Sequence, residues 1–343
     1  MAELSTLGLI LTLLDPEYAR GADIVRVVGE NRRLLKPAIK LAERNGLYYF
    51  LMRTLKEFKI DMPFASEKRW QEENRGLERL KNTIALLNSI SGDCGVNYIW
   101  IKSCHPIMHI PRDVDILLKR EERRRFIRAL EEKGMQYDRC DIQTVLDKEG
   151  LLRIDIYNEI NYFNKRFIED AFLWSSVSQV QLAGIPYPAL NREADFLLML
   201  AHSLFNHRSM TLLDFLHMKS LRSCIDVDTC REHTLNDGWG AVFDLSLEEF
   251  DNVYRRIYEE GAAVKFPYIF DTGFVLKCVA MTDGLSLSRL NWMFLPVYLG
   301  LVRLRESQKD TSLYRLLRSF EPTRRLLNNC IKLLRIMRGD KVT

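Results

Sequence analysis

Over residues 1 to 60 the apolar positions recur at helical spacing. Leu34, Leu35, Ala38, Ile39 and Leu41 alternate with basic and polar residues, and Asn45-Gly46 stops the run. A short helix is predicted over 48–58, broken by Asp61-Met62-Pro63. Residues 67–90 predict a long amphipathic helix. Leu77, Leu80, Ile84, Leu87 and Ile90 form its apolar stripe, while Glu72, Glu73, Arg75, Glu78, Arg79 and Lys81 sit mostly off it as a solvated face. Ser91-Gly92-Asp93 is expected to end it.

The period then changes. Residues 96–102 read as a strand, followed by a polar connection with Pro106 and Pro111 and a second strand running on to Lys119. Side chains alternate faces along a strand, so Val114, Ile116 and Leu118 share one face while Asp113 and Asp115 share the other. A helix is predicted over 121–133, with Phe126, Ile127 and Leu130 inward and Gly134 as its C-terminal cap. Strands are predicted over 137–146 and 151–156, joined by a turn at 147–150. In the second, Leu152, Ile154 and Ile156 share one face and Arg153, Asp155 and Tyr157 the other. Residues 179–188, with Gly184-Ile185-Pro186, read as a hairpin.

From Arg192 onward the pattern is helical, with candidate helices at 194–205, 210–224, 250–259, 274–281, 295–304 and 313–337 and a loop at Asp237-Gly238-Trp239-Gly240. There is no internal repeat and no low-complexity segment. The order predicts an α+β protein: a helical N-terminal region (1–81), a small mixed β-sheet core with flanking helices (82–188) and a larger helical C-terminal region (189–343).

Composition narrows the class. The chain has 343 residues, 47% of them hydrophobic, which is ample for sizeable cores. Fifty Lys+Arg against 46 Asp+Glu give +4, a balance that permits a nucleotide or nucleic-acid partner without arguing for one. Seven cysteines are scattered with no C-x-x-C pair, which signals neither a zinc site nor a disulfide framework and suits a reducing cytoplasm. The N-terminal apolar run lacks a basic leader and reads as a buried first helix. The apolar stretch 292–302 is too short for the about 20 residues a membrane span requires. The expectation is a soluble, cytoplasmic chain with no membrane association.

The chemistry concentrates on the strand pair. Aspartate is a poor strand former, and two like charges on one strand face repel unless a cation stands between them. A hard divalent cation with oxygen ligands suits that position. The structural alternative is that Asp113 and Asp115 pair with Arg112, Arg153 or Lys119 on a solvated sheet face. Asp155 adds a third acid on a polar strand face.

Strand, turn, D-x-D strand, helix and a later strand bearing one more Asp: this succession resembles the nucleotidyltransferase fold of the DNA polymerase β superfamily. The segments A-E-R-N-G-L, I-K-S, R-D-V-D-I-L-L, R-I-D-I-Y and F-L-L-M-L-A-H-S-L-F-N-H are similar to the uncharacterised minimal prokaryotic nucleotidyltransferases, over about Leu34 to Leu216. The resemblance implies Mg²⁺-dependent transfer of a nucleoside monophosphate from an NTP to a hydroxyl acceptor, a small molecule, a protein or an RNA end. It implies that Asp113, Asp115 and Asp155 hold two Mg²⁺ ions, Asp155 lying nearest the attacking hydroxyl, and that Lys102, Ser103 and Arg112 contact the nucleotide phosphates. One departure stands out. The turn reads Lys102-Ser103-Cys104 where the family pattern has Gly, whose bare backbone lets phosphates approach. The alternative reading is a catalytically silent module of this fold that binds nucleotide or RNA.

Other candidates carry less. His105 and His109 read as solvent-exposed loop residues, and His217 and His233 carry no readable signal. On an α-helix His202 and His207, five apart, do not share a face, so a metal pair is not expected; His202 is placed near the cleft. The basic cluster Arg315, Arg318, Arg324, Arg325, Lys332, Arg335 and Arg338 is dispersed by helical spacing and reads as solvated helix faces. No G-x-x-x-x-G-K-[ST] phosphate loop is present.

Overall fold

The computed structural model describes residues 5–282, except 20–21, 63–66, 104–106, 140–143, 163–164, 262–263, 267, 271–273, 276–277 and 279–280. Two compact units divide the chain, Met1–Ser286 and Leu287–Thr343. The late basic cluster, the candidate helices at 295–304 and 313–337, and His105 lie outside the described residues.

The first helices form where the pattern places them. They are α1 (Thr6–Leu14), α2 (Pro16–Ala19), α3 (Ile24–Glu30), α4 (Leu35–Arg44) and α5 (Tyr48–Glu57). The Ser5 hydroxyl accepts the Gly8 N–H and so caps α1. Helix α4 buries Leu35, Ala38, Ile39 and Ala42 and stops at Asn45. The Asn45 side chain accepts the Leu212 N–H at 2.9 Å, which fastens this region to a distant helix. The long helix α6 (Glu67–Cys94) runs past the expected stop at Ser91-Gly92-Asp93. A single exposed glycine does not end an otherwise favourable helix; the left-handed Gly95 (φ +61°) does.

A seven-stranded sheet follows, in the order β3-β4-β5-β2-β1-β9-β8. Its strands are β1 (Tyr98–Ile101), β2 (Asp113–Leu118), β3 (Gln136–Arg139), β4 (Thr144–Asp147), β5 (Arg153–Tyr157), β8 (Val177–Leu182) and β9 (Ile185–Leu190), with a separate β6 (Asn161–Tyr162) and β7 (Lys165–Arg166) hairpin. The sheet is mixed: β2 runs antiparallel to β1 and parallel to β5, and β1 runs parallel to β9. The chain is thus α+β. The single strand expected over 137–146 is instead two antiparallel strands, β3 and β4. The β8–β9 hairpin turns on Ala183 and Gly184, both with positive φ, a pairing typical of a two-residue type I′ turn.

One face of the sheet is covered by α6 and by α7 (Arg123–Glu132). Trp100, Val114, Ile116, Leu118, Ile154, Ile156 and Tyr187 meet Leu80, Ile84, Leu87 and Ile90 of α6 and Phe126 and Leu130 of α7. The Thr83 hydroxyl of α6 accepts the Leu152 N–H at 2.9 Å, fixing the helix to the entry of β5. Because this face takes every second residue, Asp113, Asp115 and Asp155 are turned to the other one.

Helix α8 (Asp170–Ser175) precedes the β8–β9 hairpin, and past the sheet come α9 (Arg192–Ala201), a π-helical turn (His202–His207), a short β10 (Ser209–Met210), α10 (Leu212–Arg222), α11 (Val227–Asn236) and α12 (Gly240–Tyr258). Thr211 and Asp214 form a reciprocal capping box at the start of α10. Two differences from the sequence reading appear here. Helix α11 has no expected counterpart, and α12 is 19 residues long where only 250–259 were expected. Helix α11 buries little beyond Cys230 and Thr234, which leaves almost no apolar stripe to read. In α12 the Asp237-Gly238-Trp239-Gly240 loop leads straight into the helix. There Trp239 is buried, its indole N–H donating to the Phe167 carbonyl at 2.7 Å. Among the described residues no helix is long and apolar enough to cross a membrane.

Candidate active site

The parallel pairing of β2 with β5 brings the polar residues together. In β2 and β5, Asp115 and Asp155 are direct register partners on adjacent parallel strands, and Asp113 partners Arg153 in the same way. Parallel pairing in register puts the three carboxylates on one patch of the sheet, on the face away from α6 and α7. Asp115 and Asp155 are buried and Asp113 is half-buried.

Two side-chain cations stand on this patch. The Lys102 ammonium is 2.8 Å from Asp115 Oδ2. The Arg153 guanidinium reaches Asp113 Oδ2 through Nη2 at 2.7 Å and Asp155 Oδ1 through Nε at 3.1 Å. Of the pairings weighed from sequence, Arg153 is therefore realised, and Lys102, assigned there to phosphates, stands on a carboxylate. Ser103 is buried and Arg112 is exposed.

The Lys102 backbone is left-handed, with φ +53°. That conformation costs an ordinary L-residue roughly 1–2 kcal/mol and glycine almost nothing. A glycine at this position would be free of that cost.

Aromatic and imidazole groups complete the surround. The Tyr157 hydroxyl donates to Asp115, and burial followed by the Asp115 charge pushes that phenol's pKa up. Tyr162 is pushed the same way, by burial first and Asp115 second. Its hydroxyl lies 3.1 Å from His202 Nδ1. Burial, with the Asp115 and Asp113 charges adding and Arg153 opposing, pushes the Asp155 carboxyl up from 3.8 to about 6.

The π-helical turn corrects the α-helical reading of the two histidines. A π turn brings residues five apart together, and the His202 and His207 rings meet edge to face with centroids 4.4 Å apart. Nothing in the local residue pattern announced this turn. Burial, then Lys102, then His207 hold His202 well below its usual 6.5, so the ring is neutral in the folded protein. The unfolded chain takes up a proton as pH falls below 6.5 and the folded chain does not, so stability drops there. His202→Gln is expected to remove about 1 kcal/mol of that loss between pH 7.5 and 5.5. Urea midpoints of the two proteins across this range check it; parallel curves would refute the assignment.

His109 is half-buried, not solvent-exposed, with Nδ1 3.0 Å from the Ile107 carbonyl. His217 is buried against Asp195, Nε2 to Oδ2 2.9 Å, and joins α10 to α9. His233 stacks on Phe172 with ring centroids 3.7 Å apart. His217 and His233 had no sequence signal, because each gains its partner only through tertiary packing.

The donor chemistry of the acid patch suits a hard divalent ion: three carboxylates and no thiolate. As the side chains stand, with the carboxylates on Lys102 and Arg153, no three His, Cys, Asp or Glu side chains among the described residues are arranged to hold a metal. Loading an ion requires a cation to leave, and Arg153, with 46% of its side chain exposed, has solvent to move into.

No family model and no curated protein sequence matches the chain. Similar solved structures include the lincomycin-bound lincosamide antibiotic adenylyltransferase LnuA, at 18% identity and a TM-score of 0.33, covering 43% of this chain and 99% of that one. They also include the antibiotic-resistance factor ANT(2'')-Ia, at 10% identity and a TM-score of 0.36, covering 51% of this chain and 96% of that one.

Proposed function

We propose that this chain transfers a nucleoside monophosphate from an NTP to a hydroxyl acceptor in a Mg²⁺-dependent reaction. The observation that supports it is the in-register placing of Asp115 beside Asp155 on parallel strands, with Asp113 one step along the same face. A surface network of ion pairs has no need to hold two buried carboxylates side by side, where they repel.

In this reading Asp113, Asp115 and Asp155 hold the metal. When bound, Mg²⁺ supplies positive charge to the triphosphate and the departing pyrophosphate. Asp155, on the same strand face, would also accept the acceptor hydroxyl's proton. The freed oxygen forms its bond to the α-phosphorus as the bond from that phosphorus to the bridging oxygen breaks. Pyrophosphate takes the electron pair. Ser103 and Arg112 are the proposed phosphate contacts.

A second reading is a nucleotide- or RNA-binding module without catalysis. It is favoured by the engagement of all three carboxylates with Lys102 and Arg153. Thermal unfolding with Mg²⁺ and each NTP separates the two. A ligand that binds only the folded state raises the midpoint by mass action, adding about 2.7 kcal/mol of stability at a hundredfold excess over its Kd. The expected result is a metal-dependent rise with at least one NTP that is lost in Asp113→Ala/Asp115→Ala. A rise that persists in the double variant supports the module. No rise with any NTP overturns the transferase.

A further inference from the structure

We propose that Lys102 is a resident cation of the acid patch that takes the place of one of two metal ions, so that this site loads a single divalent ion. The inference rests on the nucleotidyl-transfer reading and refines its metal content.

Lys102 and Arg153 hold the carboxylates in different ways. The Lys102 side chain is only 18% exposed, with its ammonium 2.8 Å from Asp115 and 5.3 Å from the centre of the Tyr157 ring. The hydroxyl of that same tyrosine donates to Asp115. Ammonium, ring and carboxylate thus form one packed group. The left-handed backbone at Lys102 aims its side chain from a turn position where glycine would be relaxed. Strain kept at a site needs a compensating interaction, and the pairing with buried Asp115 supplies it. Arg153, by contrast, is 46% exposed and spans Asp113 and Asp155 from the solvent side.

Charge balance leads to the same count. Once Arg153 swings out, Lys102 and one Mg²⁺ carry three positive charges against three carboxylates. A second Mg²⁺ would stand beside an ammonium already in contact with Asp115, and its repulsion in this buried setting is costly. The ion is therefore held by Asp113 and Asp155 with the remaining share of Asp115, and Lys102 does the work of the other ion.

The test counts ions directly. Mn²⁺ alone is titrated into the full-length protein and free Mn²⁺ is followed by electron paramagnetic resonance, with Asp113→Ala/Asp115→Ala subtracting ions bound elsewhere. The wild type is expected to bind one ion at the patch. Lys102→Met, which removes the charge and keeps the length, is expected to bind two. Lys102→Gly, which also relaxes the backbone, is expected to do the same and provides a second route should the methionine variant fold poorly. Arg153→Gln is expected to bind one ion more tightly than the wild type. Two ions in the wild type, or one in both Lys102 variants, overturns the proposal. If either occurs while an NTP still raises the unfolding midpoint, the transferase reading survives and only the single-ion inference falls. No patch-bound ion in any variant, with no NTP effect, overturns both.

Discussion

Asp155→Asn is expected to be more stable than the wild type at pH 7 and far slower at nucleotide transfer. The carboxyl is buried beside Asp115 and Asp113, and its pKa rises from 3.8 to about 6 despite Arg153. Between those two values the folded protein keeps a proton that the unfolded chain has released. Stability therefore falls as pH rises through that window and stays low above it. At 1.36 kcal/mol per unit the full shift corresponds to roughly 3 kcal/mol, and screening at this partly solvated patch reduces the expected gain to about 1–2 kcal/mol. Asparagine keeps the shape and abolishes the titration, so the two proteins should unfold alike near pH 4 and diverge by pH 7. Loss of the proton acceptor should lower the transfer rate by about 10²–10⁴-fold. Urea unfolding at several pH values reads the first effect and pyrophosphate release the second. A variant less stable at pH 7 would mean that the Arg153 pairing outweighs the repulsion, and the electrostatic account of the site would be wrong.

How far such a site can be read from sequence depends on which contacts are local. Asp113 and Asp115 announce their shared face because strand alternation is a two-residue rule, and the same rule sets Arg153 beside Asp155. That Arg153 also reaches Asp113 is not local. It follows from the parallel register of β2 with β5, which depends on β3, β4 and α7 filling the crossover. Lys102 was read from sequence as a phosphate contact, and its left-handed backbone and its ammonium on Asp115 were not legible, since both depend on how the turn meets β2. The π turn at His202–His207 left no trace in the pattern, since its residues are ordinary helix formers and one extra residue per turn is a tertiary accommodation. The long amphipathic helix α6 was legible nearly to its end because its stripe is strict, whereas α11 has almost no stripe.

Lys219→Met is expected to destabilise the folded unit by about 3 kcal/mol, although it lies in α10 rather than in the acid patch. Its ammonium is 2.9 Å from Asp15 Oδ2 and 2.6 Å from Glu17 Oε2. Asp15 is 5% exposed and also accepts the Tyr258 hydroxyl, while Tyr254 donates to Glu17. The cluster joins the end of α1 and the start of α2 to α10 and α12, elements more than 200 residues apart in sequence. Methionine fills much of the space but leaves the Asp15 carboxylate buried without its cation, and an uncompensated buried charge costs more than the pair contributes. Asp15→Asn in the same chain removes that charge, so Lys219→Met/Asp15→Asn should recover a large part of the loss. A double-mutant cycle from urea unfolding measures the coupling, expected at about 1–2 kcal/mol. Additive effects would show that Lys219 acts through packing of its stem against Tyr258, whose ring centre is 4.9 Å from the ammonium, and not through charge. The acid patch lies on β2 and β5, outside this cluster, so Mn²⁺ binding by the folded double variant should match the wild type.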